Sequence, residues 1–170
     1  MQKLKIVAMP TAVAQAVRSS MKSPLYQFPA HRETAAGRAP CRHCLKLIRP
    51  QEEELILFTY DAFHGQGVWP SPGPVYIHAG PCPRFAGNGT VPSEFCGQPL
   101  TLEAFGADRK RLGERLVNDT SGGEGALKEL LARAEVQYVH VRSTTAGCYL
   151  FRVERAAGES EADGSVAKSS

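Results

Sequence analysis

The sequence is short of most features that reveal a role. Its longest strongly apolar run is Leu55-Ile56-Leu57-Phe58, far too brief to cross a bilayer as a helix. Five cysteines are an odd number, and too few to staple 170 residues in place of a core. No phosphate-cradling G-x-x-x-x-G-K-[ST], dinucleotide G-x-G-x-x-G after a strand, zinc-protease H-E-x-x-H or G-x-S-x-G elbow occurs. No internal repeat is visible. The net charge is only +3, and 42% hydrophobic with 22% charged residues is ordinary globular composition, which excludes disorder throughout and fibrous repeats. A single soluble α+β domain over residues 1–155 is the expectation, followed by a disordered acidic, small-residue tail over 156–170. The start Lys3…Ala14-Gln15-Ala16 has some look of a signal peptide, but Pro10 interrupts it and Leu is scarce. A cytoplasmic location with reduced thiols is therefore expected.

The modest net charge hides an uneven distribution. Residues 1–50 hold nine basic groups and one acidic group, Glu33, whereas 51–155 hold ten basic and thirteen acidic. Such a basic third can be an anion-binding face, or a solvated surface balanced by Glu52-Glu53-Glu54. Aromatic residues for stacking bases are confined there to Tyr26 and Phe28 and no nucleic-acid motif accompanies them, so nucleic acid is not the expected partner.

Periodicity gives a coarse architecture. A strand is expected at Leu4–Ala8, then a short helix over about 11–19 with Thr11 as its N-cap. Residues 23–40 read as irregular. Glu54–Tyr60 reads as a strand buried on both faces, and Val75–Ala79 as a second strand. Between them runs a Gly/Pro-rich loop, 61–74, in which His64 and Trp69 could cover a pocket. Strands are expected at Leu100–Phe105 and Arg111–Val117.

The clearest helix spans about 122–134. Leu127, Leu130, Leu131 and Ala134 form one apolar stripe, and Ser121 and Glu124 have capping-box spacing. A hairpin of strands 136–142 and 148–154 follows. In its natural register Val139, Val141, Tyr149, Phe151 and Val153 share one face. Tyr138, His140, Arg142, Cys148, Leu150 and Arg152 take the other, a polar face that is solvent-exposed or the wall of a site. The expected fold is an antiparallel or mixed sheet packed by the 122–134 helix, with the 11–19 helix beside it.

The chemistry concentrates in cysteine and histidine. Cys41-Arg42-His43-Cys44 places two thiols two residues apart, the spacing that lets one tight turn offer two ligands to a tetrahedral metal such as zinc. A second Cys-x-x-Cys is absent. Further ligands would be His78 and Cys82, spaced H-x₃-C at a strand end, with Cys96 as the alternative. The same dithiol resembles that of thioredoxin-like oxidoreductases, but Pro50 and the glutamates after it leave no room for the helix that chemistry needs. A redox-sensing pair and plain buried thiols remain open. A different reading is an enzyme on an anionic substrate, with Cys148 or Cys82 as nucleophile, His140 or His78 as base and Arg142 as clamp.

Three segments, APCRHCLKLIRPQEEELILFTYDAF, GPVYIHAGPCPRF and VQYVHVRSTTAGCYLFRVER, together resemble an uncharacterised bacterial domain-of-unknown-function family, the one numbered twelve hundred and three. The resemblance covers about residues 4–155. It implies a compact α+β domain of the bacterial cytoplasm and no activity. The residues that match its motifs are Cys41, Arg42, Cys44, His78, Cys82, His140, Arg142 and Cys148. The leading expectation is thus a small binding domain whose Cys/His cluster holds zinc or a small anionic ligand. The enzyme reading and an interaction module without site chemistry stand beside it.

Overall fold

A computed structural model describes residues 2–64, 66, 70–87 and 89–157; Trp69 and the expected tail from residue 158 lie outside the described residues. The strands form three sheets, all with antiparallel pairing. The largest has five strands: β1 (Leu4–Val7), β10 (Tyr149–Arg155), β9 (Tyr138–Ser143), β7 (Leu100–Phe105) and β8 (Arg111–Val117), in that spatial order. A three-stranded sheet is built from β2 (His31–Thr34), β5 (Glu54–Asp61) and β6 (Pro72–His78), and β3 (Ala39–Pro40) pairs with β4 (Leu47–Ile48). Two helices, α1 (Thr11–Ser20) and α2 (Glu124–Ala132), complete an α+β architecture. None of the described helices is long and apolar enough to cross a membrane.

Each helix adds its apolar stripe to a different buried cluster. Leu127, Leu130 and Leu131 of α2 are buried with Leu4, Ile6, Leu100, Leu102, Val139, Val141 and Val153 of the five-stranded sheet. Val13, Ala14 and Val17 of α1 are buried with Ile56, Phe58, Val75 and Ile77 of the three-stranded one. Burying a Leu or Val side chain contributes about 1.5–3 kcal/mol, so these stripes rather than propensity hold such short helices. The stripe of α2 stops at Leu131, because the helix ends at Ala132 and Ala134 is exposed.

Neither expected cap forms. At α1 the first turn is closed by the Pro10 carbonyl, which accepts from the N–H groups of Val13 and Ala14, and the Thr11 hydroxyl reaches His43 instead. At α2 the Asp119 carboxylate accepts from the Ser121 and Gly123 N–H groups, while Glu124 accepts from Val91 N–H. Gly122 and Gly123 both take left-handed φ, +68° and +77°, to make the sharp entry into the helix.

Three further expectations change. Residues 23–40 contain β2, whose pairing with β5 the apolar pattern does not announce because every β2 side chain is exposed. Strand β5 buries Ile56, Phe58 and Tyr60 on one face, but on the other only Leu55 and Asp61 are buried, with Leu57 and Thr59 half-buried between them. In the β9–β10 hairpin Tyr149 pairs with Arg142 and Phe151 with Val141, leaving Leu150 as the extra residue of a bulge. Tyr149 therefore joins the His140 face, and Leu150 is buried with Phe151 in the α2-side core.

Candidate metal centre

The Cys41–Cys44 segment is the turn between β3 and β4. Its backbone closes through Cys41 N–H to the Lys46 carbonyl and Leu45 N–H to the Cys41 carbonyl, both 2.9 Å, with Leu45 in left-handed conformation at φ 58°. That tight reversal aims both thiols to one side. Three outside segments pin the turn: Arg42 N–H donates to the Tyr76 carbonyl of β6, Met9 N–H to the Arg42 carbonyl, and Phe85 N–H to the His43 carbonyl. Strand β6 runs past the turn and ends at His78, and Cys82 returns four residues later.

The result is a four-member cluster. One ligand atom each from Cys41, Cys44, His78 and Cys82 lies within 4.8 Å of all the others. The Cys41 and Cys82 sulfurs are 3.9 Å apart, and Cys44 Sγ lies 3.4 Å from His78 Nδ1. A tetrahedron with Zn–S near 2.3 Å has S···S edges of about 3.8 Å, so these spacings suit a tetrahedral ion. All five cysteines are free thiols.

The surroundings favour negative charge on sulfur. Cys41 accepts the His78 backbone N–H at 3.4 Å, and Cys82 accepts the Arg18 guanidinium at 3.3 Å. Arg18 comes from the last turn of α1 and is held by its Nε–H to the His78 carbonyl at 3.1 Å. The His43 ring stands 3.2 Å from Cys82 at Nδ1 and 2.9 Å from the Thr11 hydroxyl at Nε2. Burial keeps the His43 pKa below its usual range.

Hydrogen bonds from the Cys44 and Cys82 thiols, then from His78, hold Cys41 far below the ordinary thiol range. Cys44 and Cys82 are pushed up because Cys41 already carries the charge and burial penalises another. His78 is raised, first by its hydrogen bond with Cys41. A divalent ion would take the place of the remaining protons.

Glu53 completes the arrangement. Its Oε2 accepts the Arg49 backbone N–H at 2.8 Å and lies 3.4 Å from His78 Nε2. The imidazole is thus oriented with Nδ1 toward the sulfurs and Nε2 toward a carboxylate, the arrangement that fixes the tautomer of ligating histidines.

The remaining candidates lie elsewhere. Cys96 is not in the cluster; its thiol faces the Pro92 carbonyl at 3.9 Å. His140 is fully buried between the rings of Phe63, Phe105, Tyr138 and Tyr149, with no hydrogen-bond partner on either nitrogen. Desolvation, with the charges of Arg142, Arg152 and Arg109 behind it, pushes its pKa down to about 3. Arg142 donates from Nε to Glu103 at 2.6 Å, so its fork already holds a carboxylate, one from the neighbouring strand β7. Cys148 faces the Ala146 carbonyl at 3.5 Å. The structure does not gather His78, His140, Arg142 and Cys148 at one point: His78 stands among the thiols, His140 is enclosed, and only Arg142 and Cys148 share a cavity.

Sequence reasoning missed Glu53, Arg18, Thr11 and the role of His43. Only His43 carried a local signal, as the histidine inside the C-x-x-C turn. The basic excess of the first third is also accounted for in part. Arg32 pairs with Glu54 at 2.5 Å, and Arg49 pairs with Glu52 and Glu53, as the balanced-surface reading expects.

Residues 38–155, from β3 to the end of β10, match the model of a family described as "Protein of unknown function (DUF1203)". The chain belongs to that family. Its matched span contains all four members of the Cys/His cluster. No curated protein and no solved structure matches the chain.

Proposed function

We propose that this chain is a zinc-stabilised binding domain in which Cys41, Cys44, His78 and Cys82 hold one Zn²⁺. The observation that carries the reading is the convergence of four ligand atoms within 4.8 Å of one another. Three thiolates and an imidazole are a zinc donor set, and four protein ligands leave no open position for water or substrate. The ion's role is therefore structural: it ties the β3–β4 turn to the end of β6 and to the Cys82 segment. Glu53 orients His78, and Arg18 offsets part of the charge that three thiolates leave on a divalent ion. Free cysteines fit a reducing compartment, which supports a cytoplasmic location.

The test is transition-metal content per chain, by plasma mass spectrometry, on full-length protein purified without chelator or affinity metal. About one zinc per chain is expected, with loss in Cys44→Ala and a sulfur-rich zinc absorption-edge spectrum in the wild type. Folded wild-type protein that contains no metal and takes up no added Zn²⁺ sinks the reading.

A further inference from the structure

Arg42 stands between two of the proposed metal ligands, but its side chain turns away from them. It is 2% exposed, with Nε–H donating to the Tyr149 carbonyl at 2.7 Å and Nη1–H to the Pro40 carbonyl at 2.6 Å. The guanidinium carbon lies 5.8 Å from the centre of the Tyr76 ring. Among the described residues no carboxylate pairs with it. A buried guanidinium without a directly paired carboxylate is costly, because Arg does not escape by losing its proton at neutral pH.

Arg42 also lines a cavity of about 320 Å³. That volume is at the lower end for small-molecule sites. A second cation, Arg38, stands at the wall, held by the Glu94 backbone carbonyl rather than by an acid. The hydroxyl residues Ser143 and Thr145 and the apolar residues Phe95 and Leu150 are also among its lining. The cavity thus combines a buried cation with no carboxylate partner, a second cation, hydroxyl groups and apolar residues. Among the described residues, no acidic one lines it.

We propose that this cavity binds a small anion with an apolar body, a carboxylate or a phosphate monoester, with Arg42 as its buried anchor and Arg38 as its second cation. The ligand supplies the hydrogen-bonded anionic partner that the Arg42 side chain lacks, and its body covers Phe95 and Leu150. The proposal stands on Arg42 and the cavity and does not need the metal.

Full-length protein is titrated with phenylacetate, phenyl phosphate and the neutral phenylacetamide, followed by amide NMR shifts and calorimetry. Saturable binding of at least one anion is expected, with shifts centred on residues 38–42 and 143–148. Which of the two binds more tightly identifies the headgroup. Arg42→Met should weaken it at least about tenfold, the effect of losing a charge-assisted hydrogen bond. Because Arg42 is buried, Thr145→Trp serves as a second variant; it fills the same cavity from an exposed loop position and should abolish the shifts while the fold is retained. Failure of both anions to bind, equal binding of phenylacetamide, or undiminished binding by either folded variant overturns the proposal.

Discussion

Glu53 and His78 meet across the edge of the cluster, with carboxylate Oε2 3.4 Å from imidazole Nε2, while the other ring nitrogen faces Cys44. The carboxylate is anchored from behind by the Arg49 N–H, which is the first cause of its lowered pKa. Its contribution is orientation. Glu53→Ala should leave the fold intact and weaken zinc affinity about ten- to a hundredfold, the usual effect of losing a partner behind a ligand. Competition against a chromophoric chelator measures this, and unchanged affinity would show that Glu53 does not orient His78.

Removing the metal should cost stability because three separate chain segments lose their common tie. The β3–β4 turn, the end of β6 and the Cys82 segment are otherwise linked by backbone hydrogen bonds and by packing in the α1-side core. With a ligand at a thousand times its dissociation constant contributing about 4 kcal/mol, a strong chelator should lower the thermal midpoint by at least about 10 °C. Calorimetry with and without chelator checks it. An unchanged midpoint would argue against a structural ion.

His140 gives an acid limb to stability. Its folded pKa of about 3 lies below the unfolded value near 6.5, so between these values the unfolded chain binds the extra proton. Its contribution is intact above about pH 6.5 and falls as pH drops toward 3, with a limiting slope of about 1.4 kcal/mol per pH unit. His140→Phe, which keeps a ring among Phe63, Phe105, Tyr138 and Tyr149, should flatten that slope between about pH 6.5 and 5. Denaturant unfolding of both proteins across this range, compared as a difference, isolates the histidine's share. Parallel pH profiles would refute it.

One substitution should have opposite signs three residues apart. At Gly122, φ is +68° and an added Cβ would lie 2.9 Å from Val91 Cγ1, so Gly122→Ala should destabilise by about 1–2 kcal/mol or more. Gly125 lies inside α2 and is exposed, and an added Cβ there would meet nothing within 4 Å, so Gly125→Ala should stabilise by about 0.5–1 kcal/mol. Urea titration of both variants tests the pair, and equal signs would contradict this entry into α2.

Much of what was legible in the sequence was local. The stripe Leu127, Leu130, Leu131 marked α2, alternation marked β9 and β10, and strands β7 and β8 have the expected bounds. These signals reflect the repeat of one element against one apolar layer, which neighbouring residues carry by themselves. The C-x-x-C turn and the H-x₃-C strand end were likewise visible as two half-sites.

Tertiary structure decided what lies between distant segments. It joined Cys41 and Cys44 to His78 and Cys82, left Cys96 out, and set Glu53 and Arg18 around them. It also moved Tyr149 to the polar face, since one bulged residue inverts the alternation that a strand pattern assumes. Arg42 shows the limit most clearly: residues between two cysteines have no preferred direction in sequence. Only the packing of β6 and β10 against the turn sends its guanidinium to the Tyr149 and Pro40 carbonyls, away from the sulfurs. Spacing along the chain sets which ligands a turn can offer; contacts made across roughly a hundred residues set which way each side chain faces.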